Sequence, residues 1–287
     1  MDSPSATSAA NSADTIRAAL AQTAIQHLSA PASWRSIECI SDLHLQPQLP
    51  RTWASWQQYL QASTADAIFI LGDLFEAWVG DDALDEAGSF EAECAQLLQQ
   101  TSARRALFFI HGNRDFLIGP HFAARSGMQL LPDPTCLHFA GQHWLLSHGD
   151  ALCVEDSDYQ RFRAVARSKA WQQQILAQPL TQRRQLAGSI RSESEARKMR
   201  EVITADVDTA AALEWLQRAQ AHTLIHGHTH RPALHPLDAE HQRLVLSDWD
   251  TDLEPPRAEV LRITEQGQPQ RMALSDYLAQ PPQAAQG

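Results

Sequence analysis

The apolar positions of this chain fall into short continuous runs separated by stretches of helical periodicity. Ser36–Ser41, Ala67–Leu71, Ala106–Ile110, His143–Ser147, Thr223–Ile225, Leu244–Ser247 and Ala258–Ile263 are such runs. They are too short for helices and predict core strands. Between them, Arg51–Ala62 places Trp53, Trp56 and Leu60 on one helical face, and Phe90–Gln100 reads the same way. Strand, helix, strand in alternation predicts an α/β fold.

The rhythm breaks over residues 154–205. Two helix-like segments, Tyr159–Gln178 and Arg183–Val202, are punctuated by Pro179 and mix Phe162, Val165, Trp171, Ile175, Leu176 and Leu180 with Arg and Lys. This predicts a helical insertion lying over the strand ends as a lid, although a merely solvated charged face has a similar pattern. Residues 1–33 are small, polar and low in complexity, so a disordered tail is expected there. Ile16, Leu20, Ile25 and Leu28 are nevertheless spaced to share one side of a short helix. The Pro/Gln-rich end, residues 266–287, is expected to be loose, leaving residues 34–265 as one domain.

Composition sharpens the picture of the insertion. The net charge is −11 and the pI about 5.6, which argues against a nucleic-acid binder. Residues 160–200 nevertheless hold 10 of the 23 Lys and Arg and 2 of the 34 Asp and Glu. A basic island of +8 thus sits on a body of −19, as suits one anionic partner or surface. Cys39, Cys94, Cys136 and Cys153 are scattered without a CxxC, as expected of buried thiols in a reduced compartment. No run approaches the roughly 20 apolar residues of a membrane span, and no signal peptide is evident.

The chemistry collects where the runs end. Asp42-Leu43-His44 follows the first strand, Gly72-Asp73 the second, and His111-Gly112-Asn113-Arg114-Asp115 the third. His148-Gly149-Asp150 and His226-Gly227-His228-Thr229-His230 follow two later ones. Ligands gather at the carboxyl ends of strands in open α/β sheets. Asp42, His44, Asp73, Asn113, His148, His228 and His230 together suit two ions, with Asp73 the shared carboxylate. Mixed imidazole and oxygen ligation fits Mn, Fe or Zn better than Mg or Ca. Arg114 offers a planar cation for phosphate, and Asp115 an acceptor for a neighbouring His. No P-loop, GxGxxG or serine elbow is present. The residues therefore point to hydrolysis of a phosphate ester or phosphoanhydride by metal-activated water, without a covalent intermediate.

In this order, DLH (42–44), GDLFE (72–76), GNRD (112–115), HGD (148–150) and GHTH (227–230) resemble the calcineurin-like metallophosphoesterases. The resemblance implies a sandwich of two mixed β-sheets flanked by helices. GDLFEAWVGDD, HGNRDFLIG, HGDALCVEDSDYQRFR and LIHGHTHRPALH are further similar to the UDP-2,3-diacylglucosamine diphosphatases within that family. That branch implies attack at the α-phosphorus of UDP-2,3-diacylglucosamine, giving UMP and 2,3-diacylglucosamine 1-phosphate (lipid X) in lipid A synthesis. It also implies two Mn²⁺ ions and peripheral association with the cytoplasmic face of the inner membrane, with no obligate protein partner. Carried over, Asp42, His44, Asp73 and His230 would hold the first ion, and Asp73, Asn113, His148 and His228 the second. Arg114 and Asn113 would act at the phosphate. Asp156, Tyr159, Ser194, Arg197, Arg200 and His228 would meet substrate, the three residues 194, 197 and 200 in a stretch that departs from the usual pattern by an apparent one-residue shift. The metal motifs alone equally suit a dinucleoside polyphosphate or cyclic-nucleotide hydrolase, or a non-catalytic scaffold of the same fold.

Overall fold

Each apolar run becomes a strand, and five of the seven carry one of the polar motifs at their carboxyl ends. The computed structural model describes residues 5–200 and 206–280, with side chains from 13 to 192 and from 206 to 280. The chain begins with α1 (Ser5–Ala21), β1 (Gln26–Ser29), β2 (Ser36–Ile40), α2 (Pro50–Ala62), β3 (Ala67–Leu71), α3 (Phe90–Ser102) and β4 (Ala106–Ile110). It continues through α4 (Pro120–Ser126), β5 (Gln129–Leu131), β6 (Thr135–Phe139) and β7 (Gln142–Leu146) to the insertion helices α5 (Ser157–Ala166), α6 (Lys169–Leu176) and α7 (Leu180–Arg200). It ends with α8 (Thr209–Ala219), β8 (Thr223–His226), β9 (Leu234–Pro236), β10 (Gln242–Val245), β11 (Glu259–Thr264), β12 (Pro269–Ala273) and α9 (Leu274–Ala279).

Two six-stranded sheets result, in the orders β1-β6-β7-β8-β10-β9 and β12-β11-β2-β3-β4-β5. Both are mixed: β2, β3 and β4 run parallel, as do β7 and β8, while β11 pairs antiparallel with β2 and β6 with β7. The inner faces meet in one core, where Ile37, Phe69, Phe108 and Ile110 face Leu137, Trp144, Leu146 and Ile225. Phe69 stacks on Phe108 with centroids 4.7 Å apart. The outer face of one sheet is covered by α2, α3 and α9 through Trp56, Tyr59, Leu98 and Tyr277. The outer face of the other is covered by α8 through Ala212, Trp215 and Leu216. Strands buried on both faces read as unbroken apolar runs, so the pattern identified the central ones.

The ends of the chain depart from expectation. The stretch read as a tail forms α1 and β1. The apolar side noted at Ile16, Leu20 and Ile25 packs on the α8 layer. Trp215 Nε1 and Arg218 donate to carbonyls of Leu20 and Thr23, and Arg17 pairs with Asp208 at 2.7 Å. Most helical stability in proteins comes from packing of an apolar face, and here tertiary burial decides it. Likewise the stretch from 266 forms β12 and α9 up to residue 280. There the buried Tyr277 donates 2.8 Å to Glu38, which Tyr59, Ser63 and Arg262 also contact.

The insertion is helical as expected, but its first segment is two helices. Ser168 accepts from Trp171 N and caps α6 just after α5 ends, because a serine hydroxyl competes for the backbone N–H groups of a new first turn. Among the described residues, no helix is long and apolar enough to cross a membrane.

Candidate dimetal site

The strand-end loops converge on one edge of the sandwich. Asp42, His44, Asp73, His228 and His230 all have φ between 48° and 65°. This left-handed region is costly for residues other than Gly, at about 1–3 kcal/mol each. Such strain persists where surrounding structure enforces it. Here the backbone N–H of His44 donates to Asp73 O at 3.0 Å, and Asp42 N to Gly72 O at 3.1 Å.

Two groups of donors meet. Asp42, His44 and His230 form one and Asp42, Asp73 and His148 the other, with the ligand atoms of each within 4.8 Å. His230 Nε2 stands 3.3 Å from Asp42 Oδ1, and His148 Nε2 stands 3.7 Å from Asp73 Oδ1. Asn113 Oδ1 completes the second group, 3.0 Å from His148 Nε2 and 2.8 Å from His228 Nδ1. All seven sequence-predicted ligands are therefore brought together. Asp42 belongs to both groups, and Asp73 stands beside His148 in the second. Burial pushes both imidazoles toward neutrality. For His44, Glu76, Asp73 and Asp42 outweigh burial and raise its pKa. For His148, Asp73 leads Asp42 and Asp150 in raising it to about 9. Burial raises the Asp42 carboxyl, but the surrounding His230, His148 and His44 bring it far below the ordinary carboxylate range.

The glycines of the motifs make this density possible. A Cβ at Gly112 would fall on Asp73 Oδ1, and one at Gly227 on Asp42 Oδ2. His44 Nδ1 is buried and held by Glu76 Oε2 at 3.1 Å. Packed carboxylates and imidazoles whose ring nitrogens converge on one another fit divalent ions of the first transition row. The residues present thus suit a dimetal centre.

Arg114 lies beside this centre, its guanidinium 3.5 Å from Glu76 and its backbone N–H donating 2.8 Å to Asp73. Asp115 differs from expectation. It is fully buried and accepts from Gly112 N at 2.8 Å and Leu74 N at 2.7 Å, so it ties two motif loops together rather than orienting a histidine. Burial first, and then the Asp73 charge, make it resist ionisation and raise its pKa to about 7.

Tyr159 does reach the site. Its ring lies 6.0 Å from His228, and its hydroxyl donates 2.5 Å to Asp150. Asp156 caps α5, accepting from Tyr159 N at 3.0 Å. The side chains of Ser194, Arg197 and Arg200 lie outside the described residues.

Sequence reasoning missed three carboxylates that hold the site and its cover. Glu76 contacts His44, Arg114 and Arg191 at 3.1, 3.5 and 3.1 Å. Its signal was a charge inside the apolar Leu-Phe-Glu-Ala-Trp run. Asp150, buried, takes Arg163 at 2.7 Å and Arg167 at 3.4 Å, pinning α5 over the cleft. Asp248, after β10, contacts His230 at 3.8 Å and Arg257 at 2.7 Å. The Gly80-Asp81-Asp82 run anchors the same cover. Asp81 accepts from Trp78 Nε1, Gly119 N and Phe122 N, while Asp82 grips Arg183 of α7 through both oxygens.

Known proteins place these residues in a family. The calcineurin-like phosphoesterase model matches residues 36–232, which include all seven ligands. A protein named UDP-2,3-diacylglucosamine hydrolase from Chromohalobacter salexigens is 46% identical over 217 residues, covering 73% of this chain and 87% of that relative. Proteins of the same name from Stenotrophomonas maltophilia and Chromobacterium violaceum are 44% and 45% identical over 224 and 223 residues. They cover 73% and 75% of this chain and 89% and 90% of their own lengths. With the matched region spanning every strand-end motif of the site, the chain belongs to the calcineurin-like phosphoesterase family.

Proposed function

We propose that this chain hydrolyses the pyrophosphate of UDP-2,3-diacylglucosamine, releasing UMP and 2,3-diacylglucosamine 1-phosphate. The observation that carries the reading is the convergence of the seven ligand side chains, with Arg114, in a chain 43–46% identical to relatives named for that substrate. Asp42, His44, Asp73 and His230 would hold one Mn²⁺, and Asp73, Asn113, His148 and His228 the other. Asp73 is taken as the bridge on the motif resemblance; Asp42, which is common to both donor groups, stands beside it. When bound, two such ions acidify water and stabilise charge on a phosphoryl group.

The protein's own side chains supply the rest. Arg114 presents its guanidinium to the phosphate oxygens, held in place by Glu76, and counters charge that grows as water adds at the α-phosphorus and the bond to the bridging oxygen breaks. Asn113 sets the spacing of His148 and His228. Above them, Phe116, Trp171 and Phe162 form a chain of rings 6.0 and 6.5 Å apart between the Asn113–Asp115 loop and the insertion. Arg167 lies over Phe116 at 5.5 Å. An apolar wall with cations beside it matches an acylated sugar diphosphate. Ser194, Arg197 and Arg200 of α7 would add substrate contacts. Val165 and Leu176, 55% and 43% exposed among basic residues, would rest on an anionic leaflet at the cytoplasmic face of the inner membrane.

UMP release from UDP-2,3-diacylglucosamine, with and without Mn²⁺ and against a deacylated UDP-sugar, tests the reading. Mn-dependent turnover confined to the acylated substrate is expected. Equal turnover of both would remove the lipid assignment and leave a general dimetal hydrolase.

A further inference from the structure

A second set of metal-ligating side chains stands away from the dimetal site, on the outer face of the sheet that contains β1, β6 and β7. His27, Cys136 and His138 place three ligand atoms within 4.8 Å of one another. The register produces this. Parallel pairing sets His27 of β1 beside Cys136 of β6, and Cys136 and His138, two residues apart, face the same side. His27 Nδ1 lies 2.8 Å from His138 Nε2. The thiol is buried and reaches Ala219 O at 3.6 Å. His143, opposite His138 on β7, stacks on it with centroids 4.0 Å apart and contacts the same carbonyl at 3.2 Å.

Ala219 is the last residue of α8. The carboxyl end of a helix carries partial negative charge and favours a cation. Two imidazoles and a thiol beside that end form a soft donor set that neither Mg²⁺ nor Ca²⁺ prefers and Zn²⁺ does. In a tetrahedral zinc site the N and S ligand atoms stand roughly 3.3–3.6 Å apart, from bond lengths of about 2.0–2.3 Å. The two imidazoles would open by about half an ångström to reach that spacing. Side-chain rotation supplies the change, because His27 is exposed on an edge strand.

We propose that His27, Cys136 and His138 form a separate structural site for a soft divalent transition ion of the Zn²⁺ class, which staples β1 to the edge of its sheet. The thiol gives its proton to solvent as the S–metal bond forms. The exposed side at His27 leaves the fourth position to water. The site lies partly outside the family match, since His27 precedes residue 36. Neither it nor its test depends on the substrate of the dimetal centre.

The full-length protein, with its dimetal centre loaded with Mn²⁺, is titrated with Co²⁺. No cysteine is among the dimetal ligands, and of the four buried cysteines only Cys136 joins a metal-ligating group among the described residues, so a thiolate-to-cobalt charge-transfer band in the near ultraviolet reports the proposed site. A band saturating near one equivalent and displaced by Zn²⁺ is expected. It should vanish in Cys136→Ser, and in His27→Ala its apparent affinity should fall at least tenfold while Mn-dependent turnover stays unchanged. Zn²⁺ should also slow amide exchange over residues 26–29 in the native protein and not in His27→Ala. Because Cys136 is buried and its variant could misfold, His27→Ala, at an exposed position, is the decisive variant. No charge-transfer band at stoichiometric Co²⁺, or a band indifferent to both substitutions, overturns the proposal.

Discussion

Gly112→Ala isolates the geometry of the dimetal site from its chemistry, because it changes no ligand. Gly112 does not occupy the left-handed region, so alanine brings no backbone penalty. Its Cβ would nevertheless fall on Asp73 Oδ1 and the Asp73 backbone nitrogen. Reaching even the closest separation that real Cβ atoms show, 3.0 Å, requires Asp73 and the Gly112 loop to part by about 1 Å. A displacement of that size at a reacting centre costs about 10²-fold in rate, or about 2.7 kcal/mol of barrier. Overpacking adds about 1–3 kcal/mol of destabilisation, which for a chain of this size lowers Tm by several degrees without unfolding it. The assay is kcat for UMP release together with bound metal per chain by mass spectrometry and Tm by calorimetry. Gly188→Ala is the control, since nothing lies within 4 Å of its Cβ and alanine is favoured in a helix by about 1 kcal/mol. Wild-type kcat and two bound metals in a folded Gly112→Ala protein would refute the claim that Asp73 is held at a spacing only glycine permits.

Removing the ligand itself should be more severe. Asp73→Ala is expected to lose at least one metal ion and nearly all turnover while keeping its far-ultraviolet circular dichroism, and persistent turnover would sink its role as a bridge. Arg114→Ala should lower kcat by about 10²–10³-fold with a smaller change in KM, as for a group whose charge matters most in the transition state; steady-state kinetics decide it. Arg183→Ala, which breaks the grip of α7 on Asp82 and the contact to Val79 O at 2.5 Å, should raise KM for the acylated substrate and expose the insertion to proteolysis. An unchanged digestion pattern would contradict the anchoring role. The clamp between α1 and α8 should depend on acid. Burial pushes the Asp208 carboxyl up, but Arg17 and the Ala211 N–H outweigh it and hold its pKa below the ordinary 3.8. A depressed carboxylate contributes stability that is present above the unfolded value and lost as pH falls through the folded one. Amide protection in α1 should therefore be full at pH 6 and fall below about pH 4, and protection that rises on acidification would reverse the sign argued here.

The cover over the site illustrates how physical meaning is distributed along the chain. The run Gly80-Asp81-Asp82 was legible as a motif, yet its work is to anchor an insertion that arrives a hundred residues later, where Arg183 docks. Asp150 stood beside a ligand in His-Gly-Asp, but its task, gathering Arg163, Arg167 and Tyr159, could be known only once α5 lay across the cleft. Asp115 shows the opposite error. Its motif suggested a partner for histidine, and the fold turned it toward the N–H groups of Gly112 and Leu74.

What the amino-acid order determined by itself was local in origin. Strands buried on both faces must be apolar at every position, and ligands gather at strand ends, so an α/β fold and the seven candidate ligand positions could be read directly, while the two-sheet sandwich came from the family resemblance of the motifs. What only the tertiary structure decided depends on partners distant in the chain. The weak helix α1 and strand β1 gain order by packing on α8 and β6, and β12 and α9 by closing over Glu38 with Tyr277. Glu76 becomes part of the site because folding sets it between His44 and Arg114. The gathering of His27 with Cys136 and His138 arises from strand register alone. A marginal segment is ordered by the surface it buries, and a polar side chain acquires its role from the groups brought against it, neither of which a linear pattern records.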